Sequence, residues 1–260
     1  MYILGFETTG PICSVALLDL DNPNRIFIVN GKEPMSHLKD LTRYAKILME
    51  DEGVAMDGIA AVAASIGPGS FTGIRIGVTS ARAVAQALNV PCIAVPTLDV
   101  FRLRSDRESV VVPIFNARRG QVYGAIFSET KDVLAPGPYM LEDVLAELKG
   151  YMVGKCSAGC AAESLCVVFY GDGVDAYMER LIEFKEASDF DIEFAPEEAR
   201  YQTADLVIQY AADKFAKSET CAVEELLPDY MRKAEAEQKL EDGTLKKLRE
   251  EKLARLMAGN

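Results

Sequence analysis

The side chains that most often carry chemistry are few in this chain, and they are poorly spaced for the common mechanisms. Histidine occurs once, at His37. A metal site on a helical His-x-x-x-His pair needs two imidazoles on one face, and the residue four after His37 is Leu41. A Ser-His-Asp or Cys-His mechanism would rest on His37 alone, and no Gly-x-Ser-x-Gly elbow accompanies it. Cys156, Cys160 and Cys166 form Cys-x3-Cys-x5-Cys, which matches neither the close pairs of zinc sites nor ferredoxin spacing; they read as plain thiols, and no metal is expected. Gly67-Pro68-Gly69-Ser70 could offer backbone amides to a phosphate but lacks the Lys-Ser/Thr ending of a P-loop. Gly171-Asp172-Gly173 could admit an anion or nucleotide at a helix start, although a plain strand-to-helix turn explains the same residues. Arg118 and Arg119 stand in a hairpin turn and could touch a nucleic acid, but two arginines in a chain of net charge −12 are more often solvated.

Composition narrows the classes further. The 260 residues allow one large or two modest domains, and 49% hydrophobic residues can build a real core. With 28 Lys and Arg against 40 Asp and Glu, the net charge is −12, which opposes direct embrace of a phosphate backbone. Six dispersed cysteines, with no cationic start followed by an apolar signal run, predict reduced thiols and a cytoplasmic protein. No apolar run approaches the ~20 residues that span a bilayer, so no membrane partner is expected.

The elements that must position these residues are legible from hydrophobic period. Residues 2–7, 13–20 and 25–29 read as three antiparallel strands separated by Thr9-Gly10-Pro11 and Asp21-Asn22-Pro23-Asn24. Leu38, Leu41, Ala45, Leu48 and Met49 fall on one face of a helix over 36–51, with Gly53 as its stop. A strand at 59–64, a helix from the Gly67–Gly73 loop to Leu88, and a strand at 90–95 follow, with Thr97 capping a short helix. The second half opens alike: strands at 110–115 and 121–127, a helix at 141–148, a strand at 166–170, and helices at 174–184 and 203–217. The repeated order predicts an α/β protein of two lobes, each from a βββαβα unit with a mixed sheet. The division is expected at residues 1–106 and 107–260, with a charged helical tail from about 232.

The helix after the glycine loop is apolar nearly all round. Gly73, Gly77, Ala81 and Ala85 repeat every four residues, while Ile74, Val78 and Leu88 supply another face. Such a helix must be covered on more than one side, and small residues admit a close neighbour. That neighbour is either the chain's own domain or a partner molecule.

GPGSFTGIRIG (Gly67 to Gly77) resembles the most characteristic stretch of the bacterial TsaB family, also called YeaZ. ILGFETT with CSVALL, the His37 helix, PIFNARRGQVYGAIF and LLPDYMRKAEAE agree in order, so the resemblance spans Ile3 to about Glu237. It implies an actin/Hsp70/sugar-kinase-like (ASKHA, ribonuclease H-like) fold in a subunit that makes no product alone. Such subunits pair with the paralogous transferase TsaD and the ATPase TsaE to modify the adenosine beside the anticodon in tRNAs reading codons that begin with A. The transferase carries its metal partly on a His pair that this chain lacks. The resemblance tilts the apolar helix towards a partner interface made of His37, Leu38, Leu41, Ala45, Gly73, Arg75, Ile76, Gly77, Ala81 and Ala85, for the transferase or for a homodimer. Related phosphotransferases hold a nucleotide's metal with an Asp at the end of the first strand. Here Glu7, Thr8 and Thr9 match that place, Asn116 is the second-half counterpart, and Gly171 and Gly173 complete a vestigial ATP or ADP site; no cofactor is expected. The competing expectation is an ATP-binding phosphotransferase or a glycoprotease-like enzyme of the same fold.

Overall fold

A computed structural model describes residues 1–31, 37–105, 109–157 and 165–231, with backbone alone for 37–40 and 156–157. The predicted charged tail from 232, Cys160, and the side chains of His37, Leu38 and Cys156 lie outside the described residues.

The first lobe begins with β1 (Tyr2–Glu7), β2 (Ser14–Asp19) and β3 (Ile26–Asn30), and continues through α1 (His37–Asp51), β4 (Ile59–Gly67), α2 (Phe71–Leu88) and β5 (Cys92–Pro96). Its sheet runs β3-β2-β1-β4-β5, antiparallel across β1, β2 and β3 and parallel from β1 through β4 to β5. The second lobe repeats the plan with β6 (Ser109–Asn116), β7 (Gln121–Phe127), β8 (Asp132–Met140), α3 (Leu141–Ser157), β9 (Cys166–Tyr170), α4 (Gly173–Ala176), α5 (Met178–Glu186) and β10 (Asp191–Phe194). Its order, β10-β9-β6-β7-β8, is the same topology. Two sheets of identical connectivity are the expected duplication of one α/β unit, each unit closing on a fifth strand that the βββαβα pattern omitted.

Two strands escaped the sequence reading for local reasons. Pro136-Gly137-Pro138 looks like a break, yet it lies within β8, an edge strand, where missing N–H donors face no neighbour. The other, β10, has four residues and also lies at an edge. Thr97 caps nothing: Leu98 precedes a 3-10 turn at Asp99–Arg104, and the buried Thr97 hydroxyl has no hydrogen-bond partner. The helix expected at 174–184 is broken at Tyr177, whose φ is −124°.

After α6 (Glu197–Arg200), helix α7 (Ala204–Ala216) packs on β1, β2 and β5 of the first sheet, so a segment of the second half completes the first lobe. Residues Met1–Asp229 form one compact unit. All six residues of β2 are buried, as a strand covered on both faces requires; β2 touches both α1 and α7. Gly5 lets α7 come close to β1, since a Cβ there would lie 2.1 Å from Ile208 Cγ2. No helix among the described residues is long and apolar enough to cross a membrane.

Gly5→Ala is expected to cost about 1–3 kcal/mol by overpacking. Ile208→Ala alone should cost about 2–5 kcal/mol, and the double variant should lose less than the sum. Urea unfolding of the four proteins checks this; strict additivity would show that α7 does not meet β1 there.

Candidate functional site

Glu7, Thr8 and Thr9 of the vestigial nucleotide site lie where β1 ends, and the chain has closed over them. Glu7 is 0% exposed, Thr8 1%, Thr9 3%, Ser65 1% and Gln202 2%. Glu7 Oε1 accepts from the Thr9 backbone N–H at 2.5 Å and from Thr9 Oγ1 at 2.6 Å. Its other oxygen accepts from the Ser65 hydroxyl on β4. Gln202 Nε2 donates to Thr9 Oγ1 at 3.2 Å, and just beyond it the Ala204 N–H opening α7 donates to Ser14 Oγ on β2 at 2.8 Å. Burial pushes the Glu7 carboxyl up from its ordinary 4.5, against the pull of the Ser65 and Thr9 donors.

The glycine loop closes the same place from the other side. Gly67 and Gly69 have φ of +122° and +149°, a backbone that only glycine adopts without strain. The Ser70 N–H donates to the Thr9 carbonyl at 2.8 Å, and Ser70 Oγ caps α2 by accepting from the Gly73 N–H at 3.2 Å. Thr8 Oγ1 donates to the Gly73 carbonyl at 2.7 Å. A Cβ on Gly73 would lie 1.9 Å from the Thr8 carbonyl oxygen, and one on Gly77 would lie 2.4 Å from Thr8 Oγ1. The Ser70 amide of the GPGS loop is thus turned to the chain's own Thr9.

This geometry gives the small-residue stripe neighbours within the chain. Gly73 and Gly77 are small so that α2 can reach β1 and its turn, and Ala81 and Ala85 are 0% exposed within the same chain. Leu41 and Ala45 on α1 are also buried, at 1% and 7%. Among the described side chains of the expected interface, only Arg75, exposed, and Ile76, half-buried, face outward. They share the outer surface of α2 with Thr72, Thr79, Ala83 and Phe71, which is 40% exposed; the Arg75 guanidinium lies 4.1 Å from the Phe71 ring centroid.

In the second lobe the Gly171-Asp172-Gly173 turn lies directly on β6. Cβ atoms there would sit 2.3 Å and 2.7 Å from the Ile114 carbonyl oxygen, so both glycines serve backbone approach. Asp172 Oδ1 accepts from the Asn116 N–H at 3.0 Å, and burial pushes its carboxyl up. The four residues of α4 are too short to build an anion site. Asn116 Oδ1 accepts from the Arg118 N–H at 2.8 Å, folding a turn in which Arg118 and Arg119 have φ of +66° and +55° and stay exposed. Cys166 lies beside Asp191 and Glu193 on β10, with possible ligand atoms within 4.8 Å of one another. Burial, Glu193 and Asp191 push its thiol up to about 11.

Ser65 and Gln202 were not read as part of this site from sequence. Ser65 left one faint signal, a hydroxyl in an otherwise apolar strand. Gln202 left none, because it meets Thr9 across 193 residues.

Two predictions follow from this closure. A raised folded-state pKa means Glu7 favours folding most below about 4.5, and that contribution is lost as pH rises through the folded value. Glu7→Gln keeps an oxygen for Thr9 and gives Ser65 Oγ a donor to accept from, so its stability relative to wild type should improve steadily as pH is raised from 4. Denaturant midpoints across pH test this; a difference independent of pH would place an ordinary carboxyl at position 7. Gly73→Ala must displace the Thr8 backbone and should cost about 3 kcal/mol or more, read from the shift in urea midpoint.

Comparison with known proteins agrees with the duplicated fold. Residues 34–240 match the family model described as TsaD: tRNA N6-adenosine threonylcarbamoyltransferase. The chain is 29% identical to the tRNA threonylcarbamoyladenosine biosynthesis protein TsaB of Escherichia coli over 92% of its own length and 98% of that protein's. It is 32% identical to TsaB of Bacillus subtilis over 57% of its own length, spanning 66% of that relative. The solved structure of YeaZ from Pseudomonas aeruginosa superposes with a TM-score of 0.65 at 24% identity, covering 88% of this chain and 99% of that one, a likeness of fold. The chain belongs to the TsaB/YeaZ family of tRNA threonylcarbamoyladenosine biosynthesis proteins.

Proposed function

We propose that this chain is a non-catalytic partner subunit that docks onto the TsaD transferase, together with the TsaE ATPase, for threonylcarbamoyladenosine modification of tRNA. The observation that carries the proposal is the closure of the β1 end: Glu7 has no exposed surface, and both its oxygens accept from the chain's own donors. A group that binds a metal or moves a proton must reach the reacting atoms, and this one is spent on holding β1, β4 and α2 together. A nucleotide at the vestigial site of Glu7, Thr8, Thr9, Gly171 and Gly173 finds no support, because each of these residues is occupied by backbone or side chain of the same protein. The net charge of −12 agrees with tRNA being gripped by a partner.

The docking surface is the outer face of α2, where Phe71, Arg75 and Ile76 bring an aromatic ring, a stacked guanidinium and an aliphatic side chain together, a mixture common at interface centres. The inward residues Gly77 and Ala81 are excluded from that role, since bulk there would disturb folding before docking. A second copy of the chain is the competing occupant of the same face.

Ile76→Arg combined with Arg75→Glu should weaken binding to the cognate transferase at least ~tenfold, about 1.4 kcal/mol, with an unchanged melting temperature. Calorimetric titration measures it, and undiminished affinity would sink the assigned face. Reconstitution of tRNA modification with the transferase, the ATPase and a threonylcarbamoyl-AMP synthase should fail when this chain is omitted and should proceed at the wild-type rate with Glu7→Gln. A collapse of the rate with Glu7→Gln in an intact complex would return position 7 to the chemistry.

A further inference from the structure

Beyond α7 the chain turns back along the first lobe as a strap. Cys221 forms an isolated antiparallel bridge with Cys92 on the edge strand β5, and the two residues exchange both backbone bonds, N–H to carbonyl, at 2.9 Å each. Farther on, the Asp229 N–H donates to the Ile66 carbonyl at 2.8 Å. The strap therefore covers an otherwise open sheet edge and the C-terminal end of α2.

The register puts two thiols opposite one another. Residues that exchange both bonds in an antiparallel pair have Cα atoms about 5.5 Å apart and side chains on one face, inside the roughly 4.4–6.8 Å range that a disulfide spans. Cys221 Sγ already leans over its partner, 3.5 Å from the Cys92 carbonyl oxygen. Both are free thiols. They differ in access: Cys92 is 0% exposed, whereas Cys221 is half-buried and lines an open groove of about 520 Å³ with Gln86, Asn89 and Glu224. An attacking sulfur reachable from solvent and a resolving sulfur behind it are the two parts that exchange requires.

We propose that Cys92 and Cys221 form a reversible disulfide site, closed by thiol–disulfide exchange with a small-molecule disulfide such as oxidised glutathione. The Cys221 thiolate attacks one sulfur of the oxidant; the oxidant's S–S bond breaks and one small thiolate leaves. The Cys92 thiolate then attacks the Cys221 sulfur, breaks the mixed disulfide and releases the second small thiolate. Two protein thiols become one disulfide, and their two electrons and two protons leave on two molecules of reduced oxidant. The product closes a loop between positions 129 residues apart and fastens the strap to β5. Cβ atoms in a doubly bonded pair stand somewhat wider than a relaxed disulfide prefers, so the bond is one that mild reductant reopens. Burial and each thiol's neighbours, Cys221 for Cys92 and Glu225 for Cys221, hold both thiols above their ordinary range, Cys92 at about 11. The exchange is accordingly slow at neutral pH and climbs roughly tenfold per pH unit.

The inference stands independently of the docking role. The full chain is incubated with oxidised glutathione at pH 7 and pH 8.5, alkylated without reduction, digested and mapped by mass spectrometry, alongside Cys221→Ser. A Cys92–Cys221 linked peptide, formed faster at the higher pH, removed by dithiothreitol and absent from Cys221→Ser, is the expected result. A map of the wild-type chain carrying only a glutathione adduct on Cys221, a different linked pair, or two unmodified thiols would overturn the proposal, and this reading does not depend on the variant folding.

Discussion

Taking a carboxylate entirely out of water is among the costliest things a fold can do, and it is tolerated only where donors replace the lost solvent. Around Glu7 these donors come from two separate places, Thr9 on the turn after β1 and Ser65 on β4, and Gln202 steadies the Thr9 hydroxyl from the far end of the chain. Removing any one leaves a buried polar group without its partner. The rest of the first lobe is arranged around this demand. The glycine loop must approach until Ser70 bonds Thr9, α2 must start against Thr8, and α7 must begin where Gln202 can reach.

A close approach of this kind is also a functional statement. In an open nucleotide site the end of the first strand would present its carboxylate to solvent and metal. Here Gly69 and Gly73 bring backbone onto Thr9 and Thr8 instead, and the equivalent turn of the second lobe rests on Ile114. The duplicated fold keeps both strand-end turns while each is filled from within. What remains outward is the far face of α2, and the proposed role as a partner subunit uses that face.

Both lobes belong to one unit from Met1 to Asp229, and the first is completed by α7. Its apolar stripe of Ala204, Val207, Ile208 and Ala211 is buried, and β1 receives it at Gly5, the one position in that strand without a side chain. The strap after α7 extends the same logic to the edge of β5, where an unpaired strand would otherwise offer itself to other chains.

Local period and turn chemistry determined most of the elements: the first hairpin, the β6–β7 hairpin around Asn116–Gly120, and the helices at α1, α2 and α7 all follow from residue spacing, because each satisfies its backbone within a few neighbours. Two of the four edge strands escaped, since β8 carries prolines that only an unpaired side tolerates and β10 is too short for a pattern. The sequence of α2 also established that Gly73, Gly77, Ala81 and Ala85 needed a close neighbour. It could not say which one, because a small residue records that something comes near and not what that something is. Only the tertiary structure decided that the neighbour of Gly73 and Gly77 is Thr8 of the same chain, and that Glu7 meets Ser65 while Thr9 meets Gln202. Those contacts join positions 58 to 193 residues apart, and no local period encodes them.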